Sequence, residues 1–354
     1  MAETRALVKS LFSLTKPRVV VLLQITAMCA ILSHDLIETN KINQSTLEVM
    51  MIVFIGGYLT AGGANCINMW YDRDIDPIMT RTSKRPLSVG DITPKKALLF
   101  GILISIIGTL WLLKMANEVA AFWALFSILF YVFIYTIWLK RTSVQNIVIG
   151  GIAGSTPPVI GWAAAEGELE LEFSSAHEFI DSIVNIGGYM PWFMFLLIFL
   201  WTPPHFWALA LYRSGEYEKV GVPMMPNVKG KGRTLVEMKI YSIFLILLSL
   251  TTPLAFQEKS NWIELSDLDF NISLAVINSL ILSIWYALTV WKININDEND
   301  IMPTASHSFF VSLTYLAVMF IILVLTSINF IIKGSIVSTV LVLYIIFRKR
   351  GGKE

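Results

Sequence analysis

Residues 46–77 read TLEVMMIVFIGGYLTAGGANCINMWYDRDIDP. From Val49 to Tyr71 no side chain is charged, and roughly 20 apolar residues are enough to cross a bilayer core. The run then ends on acids, Asp72, Asp74 and Asp76, followed by Pro77. A span that carries carboxylates to its watery end predicts an all-α membrane protein with a polar mouth.

The rest of the 354-residue chain repeats the pattern. It is 55% hydrophobic and only 15% charged, against about 25% charged in a soluble domain, and its mean hydropathy is +0.65. Apolar runs fall near 19–33, 46–68, 97–115, 118–138, 144–164, 189–211, 235–255, 271–291 and 307–327. A weaker tenth run, near 329–347, contains Lys333. The longest polar stretches are too short for a soluble domain, so residues 1–354 are expected to form one transmembrane domain. Cys29 and Cys66 are the only cysteines, which excludes a disulfide framework or a Cys-rich metal site. The net charge of +1 excludes a nucleic-acid partner.

The distribution of charge sets the orientation. Of the 27 Lys and Arg, only Lys41, Lys114, Lys259 and Lys333 fall outside the N-terminus, the loops after even-numbered spans and the C-terminal tail. By the positive-inside rule the N-terminus is cytoplasmic, and so are the acids after the second span. The tail Arg348-Lys349-Arg350 favours an even number of spans. The loop near 165–188 has Glu166, Glu168, Glu170, Glu172, Glu178 and Asp181 but no Lys or Arg, and reads as external. The missing mitochondrial presequence points to a prokaryotic cell membrane.

Asn68, Asp72 and Asp76 lie four apart, so on a helix they share one face, with Asp74 turned about 200° away from Asp72. Pro77 disfavours helical geometry at Asp76, so the helix is expected to end there. Hard oxygen donors on one face suit Mg²⁺, which uses one or two carboxylates plus substrate phosphates. Arg81, Lys84 and Arg85 follow at once, and arginine matches phosphate oxygens bidentately. The alternative is a polar helix exit with an ordinary basic loop.

Asn68-x3-Asp72-x3-Asp76-x2-Met79-x-Arg81-Thr82-x2-Arg85-Pro86 resembles the first motif of the UbiA-type intramembrane prenyltransferases. The resemblance covers nearly the whole chain and implies a bundle of about nine transmembrane helices; the tenth run departs from it. It also implies that Asn68, Asp72 and Asp76 hold Mg²⁺ and the diphosphate of an isoprenoid donor, with Arg81 and Arg85 as catalytic cations. Glu216 follows the sixth span, on the same side, and the resemblance makes it a further Mg²⁺ ligand; alone it reads equally as a solvated carboxylate. Members with aromatic acceptors usually carry two aspartates four apart here, whereas this chain has Glu216 and Val220.

Several runs resemble the haem-prenylating branch of the family instead: Leu14-Thr15-Lys16-Pro17-Arg18, Asn146-Ile-Val-Ile-Gly150-Gly151 with Pro157-Pro158, Pro203-Pro204-His205-Phe206-Trp207, and Gly221-Val222-Pro223-Met224-Met225-Pro226. That likeness implies farnesyl diphosphate as donor and haem B as acceptor, with Lys16, Arg18, Lys84, Tyr217 and His205 binding substrate. It implies as partners a haem A synthase or a terminal oxidase assembly. A titratable residue inside a span is a functional candidate, and His205 is the histidine inside one. It either contacts haem, through iron or a propionate, or is a neutral histidine bonded to a neighbouring helix. Pro203 and Pro204 are expected to interrupt the helical hydrogen bonds and bend the chain.

Gly62-Gly63 and Gly150-x3-Gly154 read as close helix packing, and Trp70 and Tyr71 are candidates to face an allylic cation. Two rival functions remain: a UbiA-type enzyme with an aromatic or lipid-alcohol acceptor, and a membrane transporter. A transporter predicts acids near mid-membrane, whereas these sit at helix ends on one side.

Overall fold

In the computed structural model, the described residues are 2–257, 270–296, 302–328, 339–342 and 344–345. A short basic helix, α1 (Ala2–Leu14), precedes the first span. The spans are α2 (Pro17–Glu38), α3 (Gln44–Tyr71), α4 (Pro94–Met115), α5 (Glu118–Thr142) and α6 (Asn146–Ala165). After the short helix α7 (Ala176–Val184) come α8 (Met190–Tyr212), the short α9 (Ser214–Glu218), α10 (Met225–Leu250), α11 (Thr252–Ala255), α12 (Phe270–Trp291) and α13 (Pro303–Ser327). Eight of these helices are long and apolar enough to cross a membrane among the described residues. The ninth long helix, α10, is not one of the eight: its first turns carry Lys229, Lys231 and Arg233, and Gly230 at φ 82° kinks it. Of the tenth run, 339–342 and 344–345 are helical; the rest of it, with the tail, lies outside the described residues.

Each long helix packs against the next, α10 included, and α13 returns to pack on α2, so these helices close into a ring. The chain is a multi-pass membrane protein. Helices are the expected solution, because lipid offers no partner for backbone N–H and C=O groups. Both prolines of α8 lie inside its 23-residue helix, which runs on through them.

Small residues bring the helices together, since apolar burial gives no preference for helix over lipid. A Cβ on Gly63 would lie 2.1 Å from Ser105 Oγ and 2.7 Å from the Gly101 carbonyl, so α3 and α4 touch backbone to backbone. Gly150 makes room for a ring instead, as its Cβ would fall 2.3 Å from Tyr135. Among the described residues, a Cβ added to Gly154 would meet nothing of another helix within 4 Å, which corrects its reading as a packing residue.

The end of the bundle away from the acidic motif is held by polar contacts. His34 on α2 places Nδ1 at 2.8 Å from Asp35 and Nε2 at 3.0 Å from Glu166 after α6. Asn117 donates to the carbonyls of Ala163 and Gly167. The acidic 165–188 loop is thereby tied to the helices beneath it.

Candidate functional site

The α-helix of α3 stops at Tyr71, five residues before Asp76. A single 3₁₀ turn over Asp72–Asp74 follows. The turn keeps the spacing useful, because the Asp76 amide still donates to the Asp72 carbonyl at 2.9 Å. Asn68, Asp72 and Asp76 are all buried, at 3%, 0% and 2% exposure. Asp74 points outward, with 57% of its side chain exposed. The shared face survives although the helix ends earlier than Pro77 alone suggests.

The loop that follows is built by its own motif. Thr82 is buried and donates its hydroxyl to the Asp76 carbonyl at 2.8 Å. Its amide donates to the Met79 carbonyl, and Met79 is itself buried. This turn folds Arg85 back, and its guanidinium donates to Asp76 at 2.6 Å. Arg81 and Lys84 stay exposed at the rim.

Three further elements bring cations to the same place. Thr15 is buried and accepts from Asn65 through its carbonyl, fixing the start of α2. Lys16 follows with a left-handed backbone (φ 52°), an uncommon conformation for a side chain other than glycine, and donates to Asn68 Oδ1 at 2.7 Å. Desolvation, and then the neighbouring Arg85 and Lys140 cations, lower the Lys16 ammonium to about 7. Arg18 is exposed. Lys140 at the end of α5 pairs with Asp72. Arg141 binds both oxygens of Asp74 at 2.7 Å and comes within 3.7 Å of Asp72 Oδ1.

Lys140 and Arg141 were not among the residues picked from the sequence; the only hint was a basic pair closing the fourth run on the correct side. Tyr131, Tyr135 and Thr136 were missed as well. They lie in a π-helical stretch of α5, Phe130–Leu139, after which the Lys140 amide donates to the Tyr135 carbonyl five residues back. π-Helical turns are rare and frequent at functional sites. Thr136 accepts from Asn68 at 3.1 Å. Tyr131 and Tyr135 stack at 5.3 Å and lie within electrostatic reach of Asp72 and Arg81. Trp70 and Tyr71, the aromatic residues picked from the sequence, are covered by Arg73 at 4.8 Å and Arg141 at 4.6 Å.

The second half of the chain reaches the site less directly. Glu216 pairs with Arg213 at 3.1 Å, and no three His, Cys, Asp or Glu gather as a metal cluster among the described residues. The structure therefore does not bring Glu216 to the Asp72–Asp76 pair. Tyr217 is half-buried; its carbonyl accepts from the Val222 amide at 3.2 Å, shaping the Gly-Val-Pro turn. The Pro223 carbonyl in turn accepts from Asn146 at 3.3 Å, which ties this turn to the start of α6.

His205 lies deeper, 6% exposed. Its ring is stacked between Trp201 and Phe309, with centroids at 4.1 and 4.5 Å, and Nδ1 is 2.6 Å from Ser312 Oγ on α13. The bond to a neighbouring helix, foreseen as one reading of this histidine, is present.

The donor set fits Mg²⁺ without Glu216. Asp72 Oδ1 is buried and receives no hydrogen bond among the described residues, while Asp76 and Asn68 present oxygens now held by Arg85 and Lys16. Two carboxylates and an amide oxygen leave room for the phosphate oxygens that Mg²⁺ usually takes from its substrate.

A model of the UbiA prenyltransferase family matches residues 39–313. The chain is 40% identical over 310 residues to the protoheme IX farnesyltransferase of Bartonella tribocorum, covering 87% of each chain. It is 45% identical over 244 residues to that of Symbiobacterium thermophilum, covering 69% of this chain and 74% of that one. Among solved structures, a digeranylgeranylglyceryl phosphate synthase superposes with a TM-score of 0.65 at 18% identity, over 93% of this chain and all of that one. A UbiA homologue from Archaeoglobus fulgidus, bound to DMAPP and Mg²⁺, gives 0.57 at 15% identity, over 91% of this chain and all of that one. These two likenesses show the fold.

Proposed function

The chain belongs to the UbiA prenyltransferase family, and from that premise we propose that it transfers a farnesyl group from farnesyl diphosphate to a vinyl group of haem B, releasing diphosphate and giving haem O. The observation that carries the reading is the buried Asn68–Asp72–Asp76 face, with its donor-less Asp72 oxygen, ringed by Lys16, Arg85 and Lys140. The choice of acceptor is supported by the protoheme IX farnesyltransferases it resembles over most of its length.

Mg²⁺ held by Asn68, Asp72 and Asp76, with Glu216 as a further candidate ligand, would neutralise the diphosphate. Arg85 and Lys140 are half-buried beside these groups, and they stabilise the negative charge that grows on the leaving oxygen as the C1–O bond breaks. Arg81, Lys84 and Arg18, all exposed, draw the diphosphate in, and Lys16 meets it beside Asn68. Tyr131 and Tyr135 offer ring faces to the allylic cation. The bond electrons leave with the diphosphate, and the vinyl group's terminal carbon bonds to C1. Water then adds to the cation left on the neighbouring carbon and gives up a proton. The apolar ring of helices keeps bulk water from the first cation.

The mouth faces the cytoplasm of a cell membrane in this reading, as the sidedness of Lys and Arg requires. Haem A synthase or a terminal oxidase would use the product. The test is to incubate the purified chain with haem B and farnesyl diphosphate, with and without Mg²⁺, and identify haems by mass spectrometry. Mg²⁺-dependent haem O is expected. Prenylation of an aromatic or lipid-alcohol acceptor, with haem B untouched, would overturn the acceptor.

A further inference from the structure

Ser312 Oγ lies 2.6 Å from the Phe309 carbonyl and 2.6 Å from His205 Nδ1, and Tyr286, whose hydroxyl has its own proton to give, reaches the same side chain. At such a separation each contact needs a proton between the two atoms. A carbonyl has none to give, and the hydroxyl has one. The Ser312 proton therefore goes to Phe309, in the turn-spanning bond common for helical serine, and the proton on the second contact must come from the imidazole. The neutral ring then carries its hydrogen on Nδ1 and its lone pair on Nε2.

The same serine holds the surroundings still. Its own carbonyl accepts from Trp201 Nε1 at 2.9 Å, and Trp201 is one of the two rings sandwiching the imidazole. The other, Phe309, lies one turn back on α13 and receives the serine hydroxyl proton at its carbonyl. One turn of α13 thus fixes both the plane of His205 and the edge it offers.

We infer that Ser312 is a positioning residue that holds His205 as the Nδ1–H tautomer, so that its contact with a haem acceptor is a bond from Nε2 to iron and not a pairing with a propionate. A propionate needs an N–H donor at that edge, which this tautomer lacks; iron needs the lone pair, which it has. The inference rests on the reading of His205 as a haem contact.

Two measurements on the full-length protein in nanodiscs separate the two ideas. Imidazole ¹⁵N NMR of the haem-free protein should show the protonated nitrogen of His205 at Nδ1. A proton at Nε2 overturns the inference whatever haem does. Titration with haem B should give a nitrogen-ligated Soret spectrum that His205→Ala abolishes. Ser312→Ala keeps the backbone carbonyl that holds Trp201, and it should shift the Soret band and weaken haem binding by about tenfold, leaving farnesyl diphosphate affinity unchanged. Ser312→Thr should restore both. If His205→Ala alters the spectrum while Ser312→Ala leaves it as in wild type, the positioning role is wrong and the haem contact stands. If His205→Ala binds haem with the wild-type spectrum and affinity, the haem contact is wrong and the inference falls with it.

Discussion

Replacing Asp72 with alanine separates two jobs that the geometry gives to one carboxylate. Asp72 is fully buried, whereas its partner Lys140 is 16% exposed. Removing one member of a buried pair costs about 3–5 kcal/mol, because the other charge is stranded. Lys140 sits at the end of α5, so its ammonium can swing toward water and recover part of that loss. The expected destabilisation of Asp72→Ala is about 2 kcal/mol, between the buried figure and the roughly 0.2–1 kcal/mol of an exposed pair. Adding Lys140→Ala removes the stranded charge, and the double variant should be more stable than Asp72→Ala by about 1 kcal/mol. Turnover should not follow stability. Loss of a group that stabilises transition-state charge lowers rate by about 10²–10³-fold, and the double variant should stay as slow as Asp72→Ala. Thermal unfolding and haem O formation, measured on all four members of the cycle, give both readouts. Turnover that returns in the double variant would mean that the stranded Lys140 ammonium, and not loss of the carboxylate, slows Asp72→Ala. Near-normal turnover of Asp72→Ala at limiting Mg²⁺ would remove it from the metal site.

Asp74→Ala should be mild, because Asp74 is exposed and its partner Arg141 only half-buried, and such solvent-facing pairs contribute about 0.2–1 kcal/mol; turnover close to wild type checks it. Mg²⁺ together with inorganic pyrophosphate should raise the melting temperature, by linkage worth about 2.7 kcal/mol at a hundred times the dissociation constant. Chelation or Asp76→Asn should abolish that rise. Gly150→Ala drives a methyl to 2.3 Å from the Tyr135 ring, and overpacking of this kind costs about 1–3 kcal/mol, so both melting temperature and turnover should fall. Gly154→Ala meets nothing within 4 Å and should be neutral or stabilising by up to about 1 kcal/mol.

What could be read in the sequence divides along a physical line. Spans are legible because lipid forces each crossing to satisfy its own backbone within one continuous apolar run. The first half of the site is legible because Asn68, Asp72, Asp76, Thr82 and Arg85 are neighbours in sequence, and local turn geometry joins them. Lys16, Thr136 and Lys140 reach Asn68 and Asp72 from 52 and 68 residues away, a distance that only the packing of the ring closes. Gly150 and Gly154 look alike in sequence, and only the neighbouring helix distinguishes them. The fourth span shows the limit most sharply. Apart from Thr136, every residue from Phe130 to Leu139 is aliphatic or aromatic, so hydrophobicity marks no inward face. Phe133 and Trp138 are exposed at 56% and 60%, while Tyr131 and Tyr135 turn toward the acids. An α-helix would place these residues by a fixed 100° step, but a π-helical stretch changes that step wherever it is inserted. Nothing in the composition of the run says where that is. The aromatic residues beside the acids in sequence, Trp70 and Tyr71, are therefore the natural choice for the cation, yet arginines stack over both of them, while the two tyrosines of α5 lie within electrostatic reach of Asp72.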